Sequence, residues 1–168
     1  MSFKDKTYSE RIRDRHMWNH SERAFESHWP HRLLRFGYNN DVDGQEFDTW
    51  ASAPFIRHAP DYQCQTMPRG TVFFVEVQGT GKDRLHKFKE QKLGELANWN
   101  RYQDVWFWLW DNNKQQGTMI SLNKLRLLIA QGKADKGLFD GHRPYWSVHV
   151  DLIVAESDWD DRKGKYDA

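Results

Sequence analysis

Residues 105–110 form an unbroken apolar run in which Trp106, Trp108 and Trp110 alternate with other apolar side chains. A strand with large apolar side chains on both faces is stable only where both faces are covered. We therefore expect a central strand whose aromatic residues belong to the core rather than to a base-stacking surface. Helical and extended patterns alternate along the chain, which predicts a single α/β domain with a central mixed sheet flanked by helices.

The composition is that of a soluble single domain. The chain has 168 residues, of which 29% are charged, and its mean hydropathy is −0.94. No apolar run approaches the roughly 20 residues of a membrane-spanning helix. The single cysteine, Cys64, excludes an internal disulfide and a cysteine-rich zinc site. We expect a cytoplasmic protein, and the formal net charge of +1 argues against a strongly basic coat while allowing a local basic patch.

Three regions are expected along the chain. Residues 1–18 have few apolar positions and are predicted to be a flexible N-terminal arm, residues 19–156 a single domain, and residues 157–168 a charged C-terminal tail. A homodimer is left open, since no segment has the pattern of a dimer interface and the arm is the only candidate.

The local patterns predict an ordered series of elements. They are a helix from residues 19–21 through Leu33 that ends at Gly37 with an interruption at Pro30, extended segments at 47–50 and 55–58, a strand at 71–77, a helix at 83–98, a strand at 105–110, a short strand at 119–121, a helix at 122–131 capped by Ser121, and a last strand at 145–154.

Two carboxylates lie where a turn and a strand can bring them together. Asp61 follows Pro60 in a turn, and Glu76 comes at the end of the apolar strand. If the neighbouring strands pair, the two side chains converge, and oxygen ligands are those that Mg²⁺ and Mn²⁺ prefer. The carbonyl of Val77 can supply a further oxygen. Taken singly, each residue has a simpler explanation, as a turn Asp bonded to its own backbone and as a solvent-facing Glu.

Pro60-Asp61, the apolar strand at 72–75 and Glu76-Val77-Gln78-Gly79 together resemble the core motif of the PD-(D/E)XK nuclease superfamily, in a Glu-X-Gln variant. The expected order of a first helix, a hairpin, a helix and a buried strand is similar to that fold over residues 19–111. The resemblance implies a restriction-endonuclease-like core and a Mg²⁺- or Mn²⁺-dependent endonuclease of the phage or recombination type. Its substrate class would be DNA, including branched or nicked DNA in recombination or repair.

The resemblance also implies roles for individual residues. Asp61, Glu76 and the carbonyl of Val77 would hold the metal. The family's first helix often bears another acidic residue, and Glu22 is the best match, with Glu26 one turn later as the second choice. These positions make up the expected acidic part of a catalytic site.

Gln78 stands where the family has a lysine. A lysine there would orient or deprotonate the attacking water and stabilise developing charge, whereas glutamine can only position a water or a phosphate by hydrogen bonding. On an ideal helix over 83–98, Lys89 and Lys92 would both fall inside the apolar arc, so either can replace the missing lysine. The alternative is that each lysine only extends past its apolar neighbours to solvent.

Five residues are candidates for nucleic-acid binding. Lys82, Arg84 and Lys87 follow a glycine-containing turn, where a helix N-terminus and basic side chains would attract phosphate. Interleaved acidic residues make an ordinary solvated helix face an equal alternative. Trp50 and Tyr62 lie in less regular segments near the motif and are candidates for stacking on bases.

A second function remains open from the sequence, namely a catalytically silent nuclease-fold protein that binds a nucleic-acid or protein partner. Gln78 and the near-zero net charge favour it. RNA is not separated from DNA as a substrate, because metal-assisted phosphodiester hydrolysis does not depend on the sugar.

Overall fold

The computed structural model describes residues 20–29, 32–36, 54–66, 70–139 and 141–159. In chain order the elements are α1 (residues 20–28), β1 (Arg32–Arg35), α2 (Pro54–Arg57), β2 (Tyr62–Gln65), β3 (Val72–Gly79), β4 (Leu85–Lys89), α3 (Glu90–Trp99), β5 (Val105–Asp111), β6 (Gln116–Ser121), α4 (Leu122–Ala130), β7 (Asp135–Phe139), β8 (Arg143–His149) and α5 (Val150–Glu156).

The central sheet has five strands in the order β1-β2-β3-β5-β6. Strands β3 and β5 are parallel, and every other neighbouring pair is antiparallel, so the sheet is mixed. Helices cover it, and β5 lies in its interior between β3 and β6. The predicted α/β class and the predicted central strand at residues 105–110 are both confirmed.

The two faces of β5 belong to two different core clusters. On one face Phe107 and Leu109 pack with the apolar sides of α3 and α4. On the other face Trp106 and Trp108 pack with Phe25 of α1 and with strands β2 and β3. Because burying one large apolar side chain contributes about 1.5–3 kcal/mol, both layers are needed to hold this strand. The tryptophans are core residues, as expected.

A second sheet, β4-β8-β7, is antiparallel throughout and was not predicted. The prediction of one helix over 83–98 is wrong in its first half, since residues 85–89 form β4 and the helix begins only at Glu90. Phe88 is buried against the first core cluster and Lys87 faces away from it, which is the two-residue period of a strand. Pairing with the distant β8 decides the conformation of this segment.

Three other predicted elements differ from the structure. Residues 54–57 form the short helix α2 rather than an extended segment, and Pro54 occupies a first helical position, where its fixed φ is favourable. Leu33 lies in β1, not in a helix, and pairs with Cys64. The last strand ends at His149, whose ring accepts a hydrogen bond from the Asp151 amide and so caps α5.

The helix at 122–131 is confirmed as α4, and the Ser121 hydroxyl caps it by accepting a hydrogen bond from the Lys124 amide at 3.0 Å. The segment at 47–50 and the arm at 1–18 lie outside the described residues. At the other end, Asp158 accepts a hydrogen bond from the Ser121 amide and Trp159 packs on Phe73. The packed chain therefore extends at least three residues past the expected start of the tail.

None of the helices described in the structure has the length and apolar character needed to cross a membrane.

Candidate active site

Asp61 and Glu76 lie side by side on the central sheet. Strands β2 and β3 pair antiparallel with Tyr62 opposite Val75, and continuing this register sets Asp61 opposite Glu76. A carboxylate oxygen of Asp61 accepts a hydrogen bond from the Val77 amide at 2.8 Å, which fixes the Asp61 side chain against β3. The structure thus brings together the three residues that the motif predicted as metal ligands.

Lys92 enters this site from the first turn of α3. Its ammonium nitrogen lies 3.0 Å from Glu76 Oε2 and donates to the carbonyl of Ala59 at 3.1 Å. The side chains of Lys92 and Glu76 are only 20% and 14% exposed. Of the two lysines considered, Lys92 is the one in contact with the carboxylates, while Lys89 is the last residue of β4 and the N-cap of α3.

With both carboxylates ionised, this site would carry one negative charge more than Lys92 balances. Burial, and then the neighbouring charge of Asp61, raise the pKa of Glu76 to about 8, and Lys92 offsets only part of this. Burial alone would lower the pKa of Lys92, but the charges of Glu76 and Asp61 raise it above its usual value. Lys92 therefore stays an ammonium at neutral pH, whereas the raised pKa of Glu76 favours its protonated form when no cation is bound.

Gln78 does not point freely into the site. Its side-chain amide nitrogen donates to the backbone carbonyl of Lys87 at 2.9 Å. The contact joins β3 of the central sheet to β4 of the second sheet. The residue that departs from the motif thus holds β4 in place beside Glu76.

Glu22 takes part in a partly buried polar network at the edge of the site. Both of its carboxylate oxygens accept hydrogen bonds from Arg35, at 2.7 and 2.9 Å, and Arg35 also donates to the Tyr62 hydroxyl at 2.9 Å. The hydroxyl in turn donates to Glu26 at 2.7 Å. The charge of Glu22 contributes to the raised pKa of Glu76, so the network and the site are neighbours.

Tyr62 was predicted to stack on bases, and this prediction is wrong for the conformation seen here. The residue is 0% exposed, because the alternation of β2 points Tyr62 and Cys64 into the core beneath α1. Burial, and then the bond to Glu26, raise the pKa of its hydroxyl. Arg35 was not predicted as a site residue. It lies in a segment expected to be helical, so no local sequence pattern indicated its contact with Glu22.

The basic segment after β3 also differs from the expectation. The turn that contains Lys82 leads into a strand, so there is no helix N-terminus here to bind phosphate. Arg84 adopts a positive φ of 55° and binds Asp111 at 3.0 Å and Asp151 at 2.8 Å. Instead of a free phosphate ligand, its guanidinium is a clamp between the end of β5 and the first turn of α5. Lys87 pairs with Asp83 at 2.8 Å, and Trp50 lies outside the described residues.

The donor set suits a small hard cation. No group of three His, Cys, Asp or Glu side chains within the described ranges is arranged to hold a metal ion. Mg²⁺, however, is usually held by one or two carboxylates, with waters and substrate phosphates completing its shell. Asp61 and Glu76 provide such a pair, and a bound cation would offset the burial and the repulsion from Asp61 that raise the pKa of Glu76. The residues present therefore fit Mg²⁺ or Mn²⁺.

No protein-family model matches the sequence, and no curated protein matches it. Among solved structures, the chain is similar to Hjc, a Holliday junction resolvase from the archaeal hyperthermophile Archaeoglobus fulgidus. The identity is 10%, the TM-score is 0.45, and the match covers 84% of this chain and 91% of that one. The chain is also similar to a nuclease from a fusselovirus, with 9% identity, a TM-score of 0.45, and coverage of 88% of this chain and 86% of that one.

Proposed function

We propose that this chain is a metal-dependent endonuclease that hydrolyses phosphodiester bonds in DNA. The proposal rests on the contact of Lys92 with Glu76, 3.0 Å apart, in a site that also contains Asp61. Gln78 leaves the motif without its positive charge, and Lys92 supplies one from the next helix. Two carboxylates and one ammonium, delivered by different elements, make up the set of groups that the resemblance to the PD-(D/E)XK superfamily requires.

The metal ligands would be Asp61 and Glu76, together with the carbonyl of Val77. A bound Mg²⁺ would polarise a phosphoryl oxygen and lower the pKa of a coordinated water. The chain's own contribution is electrostatic. Lys92 stays protonated between its carboxylates, so it stabilises negative charge that develops on the phosphate rather than accepting a proton from water. The carbonyl of Ala59 accepts a hydrogen bond from the Lys92 ammonium and helps to hold it beside Glu76.

Glu22 is proposed as an auxiliary acid at the edge of the site. Its bidentate pairing with Arg35 restricts the carboxylate to one orientation. Arg35 is in turn held by the Tyr62 hydroxyl. Glu22 therefore acts through the charge that it places near Glu76.

Branched or nicked DNA is the substrate class that the resemblance suggests. Cleavage of both strands of such a substrate would suit a homodimer with two copies of the site. The test is incubation of the protein with supercoiled, single-stranded and four-way-junction DNA in Mg²⁺, in Mn²⁺ and in EDTA. We expect cleavage in the metal buffers alone, and its loss in Asp61→Asn and in Glu76→Gln.

The same experiment tests the alternative of a catalytically silent protein. Binding to DNA without cleavage, on every substrate and with both metals, would support the silent protein and contradict the endonuclease. A parallel incubation with RNA separates the two sugars, and cleavage of RNA alone would contradict the choice of DNA. Circular dichroism of each variant establishes that lost cleavage does not come from lost folding.

A further inference from the structure

The second sheet, β4-β8-β7, has one face that the proposed site does not use. Its inward face packs on the core through Phe88, Trp146 and Val148. The residues that alternate with these point away from the core, and we call this surface the outer face. The outer face carries Lys87 and Lys89 of β4, Arg143 and Tyr145 of β8, and Gly137 and Phe139 of β7.

Two aromatic rings lie at the centre of the outer face. The rings of Phe139 and Tyr145 are 4.4 Å apart between centroids, and both residues are partly exposed. The Tyr145 ring lies directly over Gly137, where an added Cβ would come within 2.4 Å of the ring. A glycine at this position lets the ring lie flat against the strand. Partly exposed rings of this kind provide stacking surfaces for bases, and base–aromatic stacking does not depend on base identity.

Cations lie beside the rings. The ammonium of Lys87 is 5.9 Å from the centroid of the Tyr145 ring, and Lys89 is paired with Tyr145 across the two strands. Lys89 and Arg143 are both exposed. Partial burial, then the charges of Arg143 and Lys92, lower the pKa of Lys89, so positive charges crowd together here. An anion between these cations would relieve their repulsion.

The carboxylates near the outer face do not neutralise this end of it. Asp83 pairs with Lys87, and Glu90, which follows Lys89 in the chain, pairs with Lys136. Asp135 lies at the start of β7, opposite Ser147, whereas Arg143 lies opposite Phe139 at the other end of that strand pair. The surface around Lys89 and Arg143 is therefore electropositive, which complements a phosphodiester backbone.

The outer face is continuous with the candidate active site. Gln78 binds the carbonyl of Lys87 and fixes β4 beside β3. The charges of Glu76 and Lys92 both act on Lys89, which places the end of β4 next to the carboxylates. A nucleic-acid strand that leaves the site across Lys89 would thus reach the two rings.

We propose that the outer face binds single-stranded DNA, with phosphates at Lys89 and Arg143 and bases stacked on Tyr145 and Phe139. The choice of DNA rests on the proposed function. A single strand fits better than a duplex, because bases paired inside a duplex do not expose their flat faces to protein rings. The face would guide an unpaired segment of a branched or nicked substrate into the site.

The experiment measures fluorescence anisotropy of labelled oligo-dT with the full chain in EDTA, so that cleavage does not interfere. Tyr145→Ala should weaken binding about five- to hundredfold, the range of one lost stacking contact, whereas Tyr145→Phe should stay within about twofold because it keeps the ring. Arg143→Gln should reduce the slope of log affinity against log salt by about 0.7, one phosphate contact on a single strand. Gly137→Ala, which keeps the ring but displaces it, should also weaken binding.

Matched controls come from another part of the surface. Tyr102 is 79% exposed, and Arg126 is exposed on α4. Tyr102→Ala and Arg126→Gln should bind as the wild type does. Equal loss in Tyr102→Ala and Tyr145→Ala would overturn the proposal, as would wild-type binding by Tyr145→Ala.

The nucleic acid itself is tested with two further probes. Tighter binding to a duplex of the same length would overturn the single-strand assignment, and tighter binding to oligo-rU would overturn the choice of DNA.

The outcome for the outer face can be separated from that for the endonuclease. Asp61→Asn should abolish cleavage and leave oligo-dT binding in EDTA unchanged. Tyr145-dependent binding in a protein that cleaves nothing would support the outer face and contradict the endonuclease. Cleavage by a protein whose oligo-dT binding does not depend on Tyr145 would support the endonuclease and contradict the outer face.

Discussion

Two glutamate–lysine clusters in this molecule have opposite electrostatics. Around Glu76, two carboxylates share the single ammonium of Lys92, and the pKa of Glu76 is raised to about 8, by burial first and then by Asp61. Around Glu156, two ammonium groups share one carboxylate, with Lys133 at 2.6 Å and Lys124 at 2.9 Å. Hydrogen bonds from these lysines lower the pKa of Glu156 to about 2.

The difference shows which cluster can take up another cation. The Glu156 cluster lies on the surface and already has more positive than negative charge, so a surface ion pair is a sufficient account of it. The Glu76 cluster is largely buried, and full ionisation of its two carboxylates would leave one negative charge in excess, which a bound cation would offset. Both clusters consist of acidic residues and lysine, so it is their burial and their balance of charges that distinguish them.

The largest expected effect distinguishes Lys92 of the Glu76 cluster from Lys124 of the Glu156 cluster. Lys92→Met should reduce the cleavage rate at saturating Mg²⁺ and DNA by about 10²–10³-fold, because it removes a charge aimed at the reacting phosphate. Lys124→Met, which breaks a glutamate pair of similar length, should leave the rate unchanged. Single-turnover cleavage of four-way-junction DNA measures both variants. Equal rates in the two variants would remove Lys92 from the mechanism.

Lys89 provides a second test in the same region, which separates DNA binding from catalysis. Lys89→Met should weaken binding of DNA but keep the cleavage rate once the enzyme is saturated, since Lys89 is placed on the outer face rather than against the carboxylates. The dependence of the single-turnover rate on protein concentration separates these two effects. A fall in the saturated rate as large as that of Lys92→Met would make Lys89 part of the catalytic group.

The sequence was sufficient to predict the nearness of Asp61 and Glu76. Both depend on one local hairpin, in which an apolar strand pairs with the residues just before it. Lys92 was one of the two candidate lysines, but on a helix predicted to begin at residue 83. Lys92 reaches Glu76 because α3 begins at Glu90 and places its first turn over the site. The contact of Lys92 with Glu76 was thus among the expectations, although the expected secondary structure was partly wrong.

The second sheet could not be predicted from local pattern. Strand β7 has the sequence Asp-Lys-Gly-Leu-Phe, which is poor in β-branched residues. Strand β4 places apolar residues at positions 85 and 88, a spacing that also fits a helix. Both segments become strands by pairing with β8, which is distant in sequence from β4. The outer face and its cations could therefore be identified only from the folded structure.

A smaller effect is expected from metal binding in the absence of DNA. Addition of Mg²⁺ should raise the thermal unfolding midpoint of the wild type by about 5–11 °C, because a ligand at about 100 times its Kd stabilises the folded state by about 2.7 kcal/mol. Glu76→Gln and Asp61→Asn should lose this shift, and Glu156→Gln should keep it. Differential scanning fluorimetry in Mg²⁺ and in EDTA gives the comparison. An equal Mg²⁺ shift in all of these proteins would show that the ion binds elsewhere.

The smallest effect concerns the acid stability supplied by the Glu156 cluster. The folded pKa of Glu156 is about 2, below its ordinary value of 4.5. A depressed carboxylate pKa gives stability that is complete above the unfolded value and is lost as the pH falls from about 4.5 towards 2. Urea unfolding of the wild type should therefore show a loss of stability in this window that is smaller in Glu156→Gln. Because the pair is exposed, added salt should reduce the difference between the two proteins. A difference that appears only above pH 5 would contradict this account of Glu156, because the Glu156 side chain is ionised there in both the folded and the unfolded protein.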